Sequence, residues 1–111
     1  MNDNILFLPY KAITNTKKEI DFNFSLDKNT ISPIVINEII SLILSKISQE
    51  IDICKPSNGD IIQAICMALV IRCKMIDYDF EKIEKITFET LKKAFNDAKN
   101  AKVTSPSSGN A

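Results

Sequence analysis

The middle of the chain contains one helical segment, roughly residues 60–76, that is apolar on nearly every side. At 100° per residue, only Gln63 and Lys74 mark a narrow polar strip. Ala64 and Ala68, four residues apart, leave a flat surface on which a second helix can approach closely. A helix that is apolar all round is either buried or spans a membrane, and this one is too short to span. The pattern therefore predicts a helix that other protein covers, with Asn58 or Asp60 as its N-cap.

A second helix is predicted over residues 33–51, because Ser32 is a good N-cap and Pro33 suits the first helical position. One apolar stripe follows the helical period, and it consists of Ile36, Ile40, Ile43, Leu44, Ile47 and Ile51. Val35, Ile39 and Leu42 widen the apolar arc beyond what a single neighbour covers. We therefore expect this helix to contact two elements.

The C-terminal third indicates a short helix over residues 80–85, capped by Asp79, and a longer one over 88–101, capped by Thr87. In the longer helix one face holds Phe88, Leu91, Phe95 and Ala98, and the opposite side holds Lys92, Lys93, Asp97 and Lys99. A single continuous helix is the alternative, but it places the apolar Ile86 on the side opposite Phe88 and Phe95.

The N-terminal region carries a period of two, typical of a half-buried strand, in Ile20, Phe22, Phe24 and Leu26. A short apolar run over residues 5–8 precedes it and is expected to end at Pro9. The two runs either pair as a hairpin or form an extended arm packed on other elements, and the sequence favours neither.

These elements define an arm over residues 1–30, a helical domain over 31–102 and a disordered tail over 103–111, where small polar residues dominate. The predicted fold class is mainly α, with three to four helices and an extended or β-hairpin N-terminal arm. Dimerisation is expected to complete this small domain.

Composition argues against catalysis. The chain has no histidine, the commonest general base and metal ligand, and only two glycines, too few for a phosphate-binding loop. We therefore expect no enzyme activity and no cofactor. Three cysteines, an odd number at wide spacing, suggest reduced thiols, and the start lacks a basic leader, so a cytoplasmic location without a membrane span is expected.

The cysteines do not suggest a metal site. Cys66 and Cys73 are interpreted as small core residues, whereas Cys54 lies in an exposed turn and is the thiol predicted to react first. An acidic cluster of Asp77, Asp79, Glu81 and Glu84 lacks the spacing of a calcium loop and is interleaved with lysines, as on a solvated helix face.

Arg72 is the one charge on an apolar side of its helix, where a partner is normally required. In an antiparallel pair of helices Glu38 stands at the same height, so the two form a candidate ion pair or partner contact. Snorkelling or a structural pair near the helix end is the simpler interpretation. Glu50 or an acid on a partner chain is an alternative partner.

The apolar surface of the two central helices exceeds what three short helices and an arm can cover. We therefore predict a non-enzymatic helical interaction or assembly module acting as a homo-oligomer, most simply a homodimer. Its candidate interface consists of Ala64, Ala68, Ile61, Ile39 and Leu42. The alternative is a small nucleic-acid-binding regulator using the basic C-terminal helix. It is weaker because positive and negative residues number 14 each and are mixed along the chain.

Overall fold

A computed structural model describes residues 6–106 and shows a mixed α/β architecture. Its elements in chain order are β1 (Phe7–Ile13), β2 (Glu19–Ser25), α1 (Pro33–Cys54), α2 (Asn58–Lys74), α3 (Phe80–Lys99) and β3 (Lys102–Thr104). The three strands form one antiparallel sheet in the order β1-β2-β3. The mainly α prediction is therefore too narrow, although the helices make up most of the described chain.

The N-terminal arm is a β-hairpin, the first of the two predicted alternatives. β1 does not end at Pro9 but runs through it, with Pro9 opposite Asn23. Hydrogen-bonded pairs alternate along an antiparallel hairpin, and here the Leu26 N–H donates to the Leu6 carbonyl at one end and the Thr14 N–H to the Lys18 carbonyl at the other. Pro9 falls between them on an edge strand, where its missing N–H interrupts no bond to β2.

The hairpin turns through a three-residue loop between Thr14 and Lys18. The N–H of Thr14 donates to the Lys18 carbonyl at 2.9 Å, and the N–H of Lys17 donates to the Thr14 carbonyl at 2.9 Å. Lys17 has a φ of 69°, in the left-handed region. A turn followed by one left-handed residue is a common three-residue hairpin connection, and it sets the strand register.

The predicted disorder from residue 103 is wrong for Val103 and Thr104, which belong to β3. Val103 pairs with Ile20 and Thr104 with Glu19, so this short strand completes the sheet beside β2. Three residues are too few to show a period of two, which is why the sequence pattern missed them. Ser105 and Pro106 follow β3 without regular secondary structure, and residues 107–111 of the predicted tail lie outside the described residues.

Helix α1 begins at Pro33 as predicted, and the Ser32 hydroxyl accepts a hydrogen bond from the N–H of Val35 at 3.2 Å. It ends at Cys54, beyond the predicted residue 51, and Lys55 follows with a φ of 50°. A left-handed residue after the last turn, followed by Pro56, is a recognised helix stop. None of the side chains of α1 is fully buried.

Helix α2 begins two residues earlier than predicted, because its N-cap is Ser57 rather than Asn58 or Asp60. The Ser57 hydroxyl accepts the N–H of Asp60 at 3.0 Å. The expectation that Cys66 is a core residue is wrong in the single chain, since Cys66 is exposed, whereas Cys73 is buried. The apolar character of α2 is therefore not matched by burial.

Helix α3 is continuous, so the predicted break before Thr87 is wrong. Instead of capping a helix, the Thr87 hydroxyl donates to the Ile83 carbonyl one turn earlier, at 2.7 Å. Asp79 caps α3 as predicted, accepting the N–H of Glu81 at 3.0 Å. Ile86 is exposed, as the continuous alternative required.

The face of α3 that is covered also differs from the prediction. Buried or half-buried positions on α3 include Phe80, Ile83, Thr87, Ala94, Asp97 and Ala98. The predicted stripe of Phe88, Leu91 and Phe95 is exposed instead. The covered side carries Phe80 and Ile83 near the start of α3 and the smaller Thr87, Ala94 and Ala98 farther along.

The chain divides into two compact units, one formed by the residues up to Asn37 with Thr90 onward, the other by Glu38–Glu89. In the first, Leu8 of the sheet is buried, and the sheet face that carries it also holds the stacked rings of Phe22 and Phe24, 5.2 Å apart. In the second, Cys73 and Ile83 are buried. These are the buried hydrophobic residues of the described chain, so each unit has a very small core.

Candidate interaction surface

The second unit, Glu38–Glu89, exposes large apolar side chains on two helices. On the part of α1 in this unit, Ile39 and Leu42 are exposed, and Leu42 lies nearly opposite the half-buried Ile40. Leu42 is 62% exposed. This is the predicted second contact side of α1, and nothing within residues 6–106 buries it.

A regular apolar stripe lies along α2. It consists of Ile61, Ala64, Ala68, Ile71 and the C-cap residue Met75, and we call it the α2 face. The spacing alternates between three and four residues, so all five side chains fall within an arc of about 80°. Ile61 is half-buried and the other four are exposed, Ile71 to 61% and Met75 to 69%. This spacing is typical of a helix that packs along a second helix.

Opposite charges mark the two ends of the α2 face. Asp60 lies in the first turn, and Arg72 and Lys74 lie in the last turn. Each sign complements the helix dipole at its own end, which stabilises α2. The ammonium of Lys74 also lies 4.6 Å from the centre of the Phe80 ring, a cation–π contact that holds it close to the helix end.

The predicted pairing of Arg72 with Glu38 does not form within the chain. Both residues are exposed, and no hydrogen bond or ion pair between them is present in residues 6–106. The ion pair found there joins Lys11 Nζ to Glu19 Oε1 at 3.3 Å across the hairpin. A contact of Arg72 or Glu38 with a partner chain stays a prediction.

The thiols differ in their surroundings. Cys54 is exposed as predicted, and its Sγ donates to Glu50 Oε1 at 3.5 Å. This hydrogen bond, together with the negative charge of Glu50, raises the pKa of the Cys54 thiol. Cys73 Sγ lies 3.4 Å from the Thr87 hydroxyl in the interior of the second unit. That Cys54 reacts first stays a prediction, and the raised pKa lowers the fraction of its thiol present as the reactive thiolate.

No group of three or more metal-ligating side chains lies together within residues 6–106. In the acidic cluster, Asp79 has a structural role, because its carboxylate caps α3. The described helices include none that is long and apolar enough to cross a membrane.

The lysines of the alternative hypothesis do not form a separate basic face. Lys92, Lys93 and Lys99 are exposed on α3, whereas Lys102 lies in β3 opposite Asp21. Glu89 is exposed on the same helix. Since nucleic-acid binders concentrate positive charge on one face, this arrangement does not favour that hypothesis.

One structurally important residue escaped the sequence interpretation. Asp97 was placed among the solvated charges of α3, but it is half-buried and accepts two hydrogen bonds from Ser25. No local pattern signals a contact between residues 72 positions apart. Of the candidate interface residues on α1 and α2, Ile39, Leu42, Ala64 and Ala68 are exposed and Ile61 is half-buried, and their role in an interface stays a prediction. The chain matches no protein-family model, no curated protein and no solved structure.

Proposed function

We propose that this protein is a non-enzymatic assembly module that acts as a homo-oligomer, in its simplest form a homodimer. The observation that carries the proposal is the contrast between composition and burial. Hydrophobic residues make up 45% of the sequence, yet three are buried within residues 6–106. Exposed apolar side chains include Ile39 and Leu42 on α1 and most of the α2 face. Exposed apolar side chains in this number are typical of surfaces that make protein–protein contacts.

The accessible surface area gives an estimate of the size of the proposed interface. The chain exposes 9225 Å², whereas a folded monomer of 12.5 kDa is expected to expose about 6,200 Å². After subtracting the most that the ten residues outside 6–106 can expose, roughly 1,500 Å², about 1,500 Å² of excess surface remains. A stable complex of standard size needs about 800 Å² from each partner. The excess is therefore more than one such interface requires, and it is in the range of obligate assemblies.

A second copy of the chain is the occupant that fits best. The ten remaining residues of this sequence contain only Met1 and Ile5 as large apolar side chains, too few to cover the surface. Two copies do not repel each other through their net charge, because Lys+Arg and Asp+Glu are equal at 14. In a symmetric dimer both partners use the same apolar patch, so the patch on one copy covers the patch on the other.

The test is the mass in solution, measured by light scattering after size exclusion across the micromolar range. We expect at least twice 12.5 kDa. Leu42→Glu, which places a charge on the exposed apolar side of α1, should shift the equilibrium towards smaller species. Ser48→Glu, at an exposed polar position about 120° around the same helix from Leu42, is the matched control and should leave the mass unchanged. A wild-type mass of 12.5 kDa at every concentration would overturn the proposal.

A further inference from the structure

We propose that two copies of α2 pack against each other in an antiparallel pair, through the α2 face, across a two-fold axis. The inference rests on the proposed homo-oligomer and adds the location and direction of its central contact. Three observations carry it, namely the spacing of the α2 face, its sequence of side-chain sizes and the placement of the charges at its ends.

From Ile61 to Ile71 the side-chain sizes along the α2 face are symmetric, and Met75 lies beyond this symmetric part. In an antiparallel pair centred near Cys66, Ile61 meets the partner's Ile71, and Ala64 meets the partner's Ala68. Large residues therefore meet large ones at the ends, and small residues meet small ones at the centre. The two central alanine layers let the backbones approach closely, which brings the exposed residues beside them into contact.

The charges at the two ends of α2 favour an antiparallel over a parallel pair. In this alignment Asp60 borders the partner's Lys74, and the symmetry repeats the pair at the other end. A parallel pair brings like ends together, with Asp60 at the level of the partner's Asp60 and the two helix dipoles aligned. The antiparallel pair joins opposite charges and opposite dipole ends, and Lys74 is already held at its end of α2 by Phe80.

The residues beside the two-fold axis follow from the same alignment. Ile65 and Met67 flank the alanine layers and lie near their own copies in the partner, and both are exposed in the single chain, Met67 to 60%. Cys66 is adjacent in sequence but lies on the opposite side of α2, so two copies of Cys66 point away from each other. Arg72 lies at the rim, where its long side chain reaches water.

Two adjacent positions of α2 give a matched test, because residue 67 lies beside the proposed axis and residue 66 lies on the side away from it. One protein carries Cys54→Ser, Cys66→Ser and Met67→Cys, so its exposed thiol lies beside the proposed axis. The control carries Cys54→Ser alone, and its exposed thiol is Cys66. Both keep the buried Cys73, and all three substitutions are at exposed positions and leave the small core intact. Each protein is treated with a short bis-maleimide cross-linker, and its mass is measured before treatment.

We expect both proteins to have the mass of a dimer and the Met67→Cys protein to cross-link about ten-fold faster than the control, because its thiols face each other at high effective concentration. Dimeric mass with equal cross-linking rates would overturn the α2 pair and leave the homo-oligomer standing. Faster cross-linking of Cys66 would place the opposite side of α2 at the contact and overturn the inference as well. Monomeric mass for wild type and both variants would overturn both proposals.

Discussion

The carboxylate of Asp97 accepts two hydrogen bonds from Ser25, one from the backbone N–H at 2.8 Å and one from the hydroxyl at 2.9 Å. β3 pairs with β2 only from Glu19 to Asp21, so the far end of that edge of β2 has no strand beside it. The side chain of Asp97 takes the place of a strand at Ser25. This contact fixes the end of the hairpin to α3 within the first unit.

Asp97→Ala should lower the free energy of unfolding by about 2 kcal/mol, because it removes both charge-assisted bonds and leaves the Ser25 N–H without its acceptor. Urea titration at a fixed protein concentration measures the change, since association contributes to the apparent stability.

Ser25→Ala provides the graded comparison. It removes the hydroxyl bond and keeps the backbone one, so the loss should be smaller, about 1 kcal/mol. The double variant should lose less than the sum of the two single losses, because both changes remove the same bond. Strict additivity would show that the Ser25 hydroxyl and Asp97 act independently.

Lys17→Gly should stabilise the hairpin by roughly 0.5–1 kcal/mol, because a non-glycine residue at a φ of 69° carries a steric cost that glycine avoids. Lys18→Gly, one residue later and outside the left-handed region, should destabilise the protein through the added freedom of the unfolded chain. Thermal unfolding of the two variants distinguishes the effects. Equal melting temperatures for both would contradict this account of the turn.

Cys54 should alkylate slowly at a pH where ordinary thiols react readily. The hydrogen bond from its thiol to Glu50 and the charge of Glu50 raise its pKa, so at a given pH a smaller fraction is the reactive thiolate. The rate should rise only as the pH passes through the raised pKa. Glu50→Ala in a Cys66→Ser background should move the rate profile to lower pH.

Gln49→Ala is the matched control for this profile, because it also truncates an exposed side chain near the end of α1 but does not face the thiol. Its profile should coincide with that of the Cys66→Ser parent. If Glu50→Ala leaves the profile in place as well, Glu50 does not set the pKa of Cys54.

The sequence predicted those features that depend on neighbours within one turn or one strand. The start of α1 at Pro33, the cap of α3 at Asp79 and the strand around Phe22 are all governed by local backbone and side-chain preferences. The N-cap of α2 was misplaced by one residue or more because Ser57, Asn58 and Asp60 are all good caps, and propensity alone does not choose among them.

The features that the sequence missed depend on distant residues. β3 forms because Val103 pairs with Ile20 of β2. Asp97 is half-buried because Ser25 lies beside it. For α3 the large side chains of Phe88 and Phe95 suggested a buried face, but the helix is covered along Ile83 and Ala94 instead. Amphipathicity shows that a helix has an apolar side, whereas tertiary contacts decide which part of it is covered in a single chain.

The charge arrangement of the α2 pair predicts partner choice between two variants. Asp60→Lys alone and Lys74→Asp alone should each weaken their own dimers, since like charges then meet at both ends of the pair. When the two variants are mixed, the introduced lysine of one chain faces the introduced aspartate of the other at one end of the pair. At the other end the unchanged Lys74 and Asp60 face each other, so heterodimers should exceed the statistical half of all dimers. Native mass spectrometry measures this share.

The matched control for mixing is Glu84→Lys with Lys85→Asp on α3, which changes the net charges of the two chains by the same amounts away from α2. Attraction between oppositely charged chains acts in both experiments and is reduced by salt, because it operates through solvent over longer distances. The contribution of the α2 pair is therefore the heterodimer share of the α2 mixture minus the heterodimer share of the α3 mixture. If both mixtures give the same heterodimer share at every salt concentration, Asp60 and Lys74 do not meet across the axis, whatever the mass in solution.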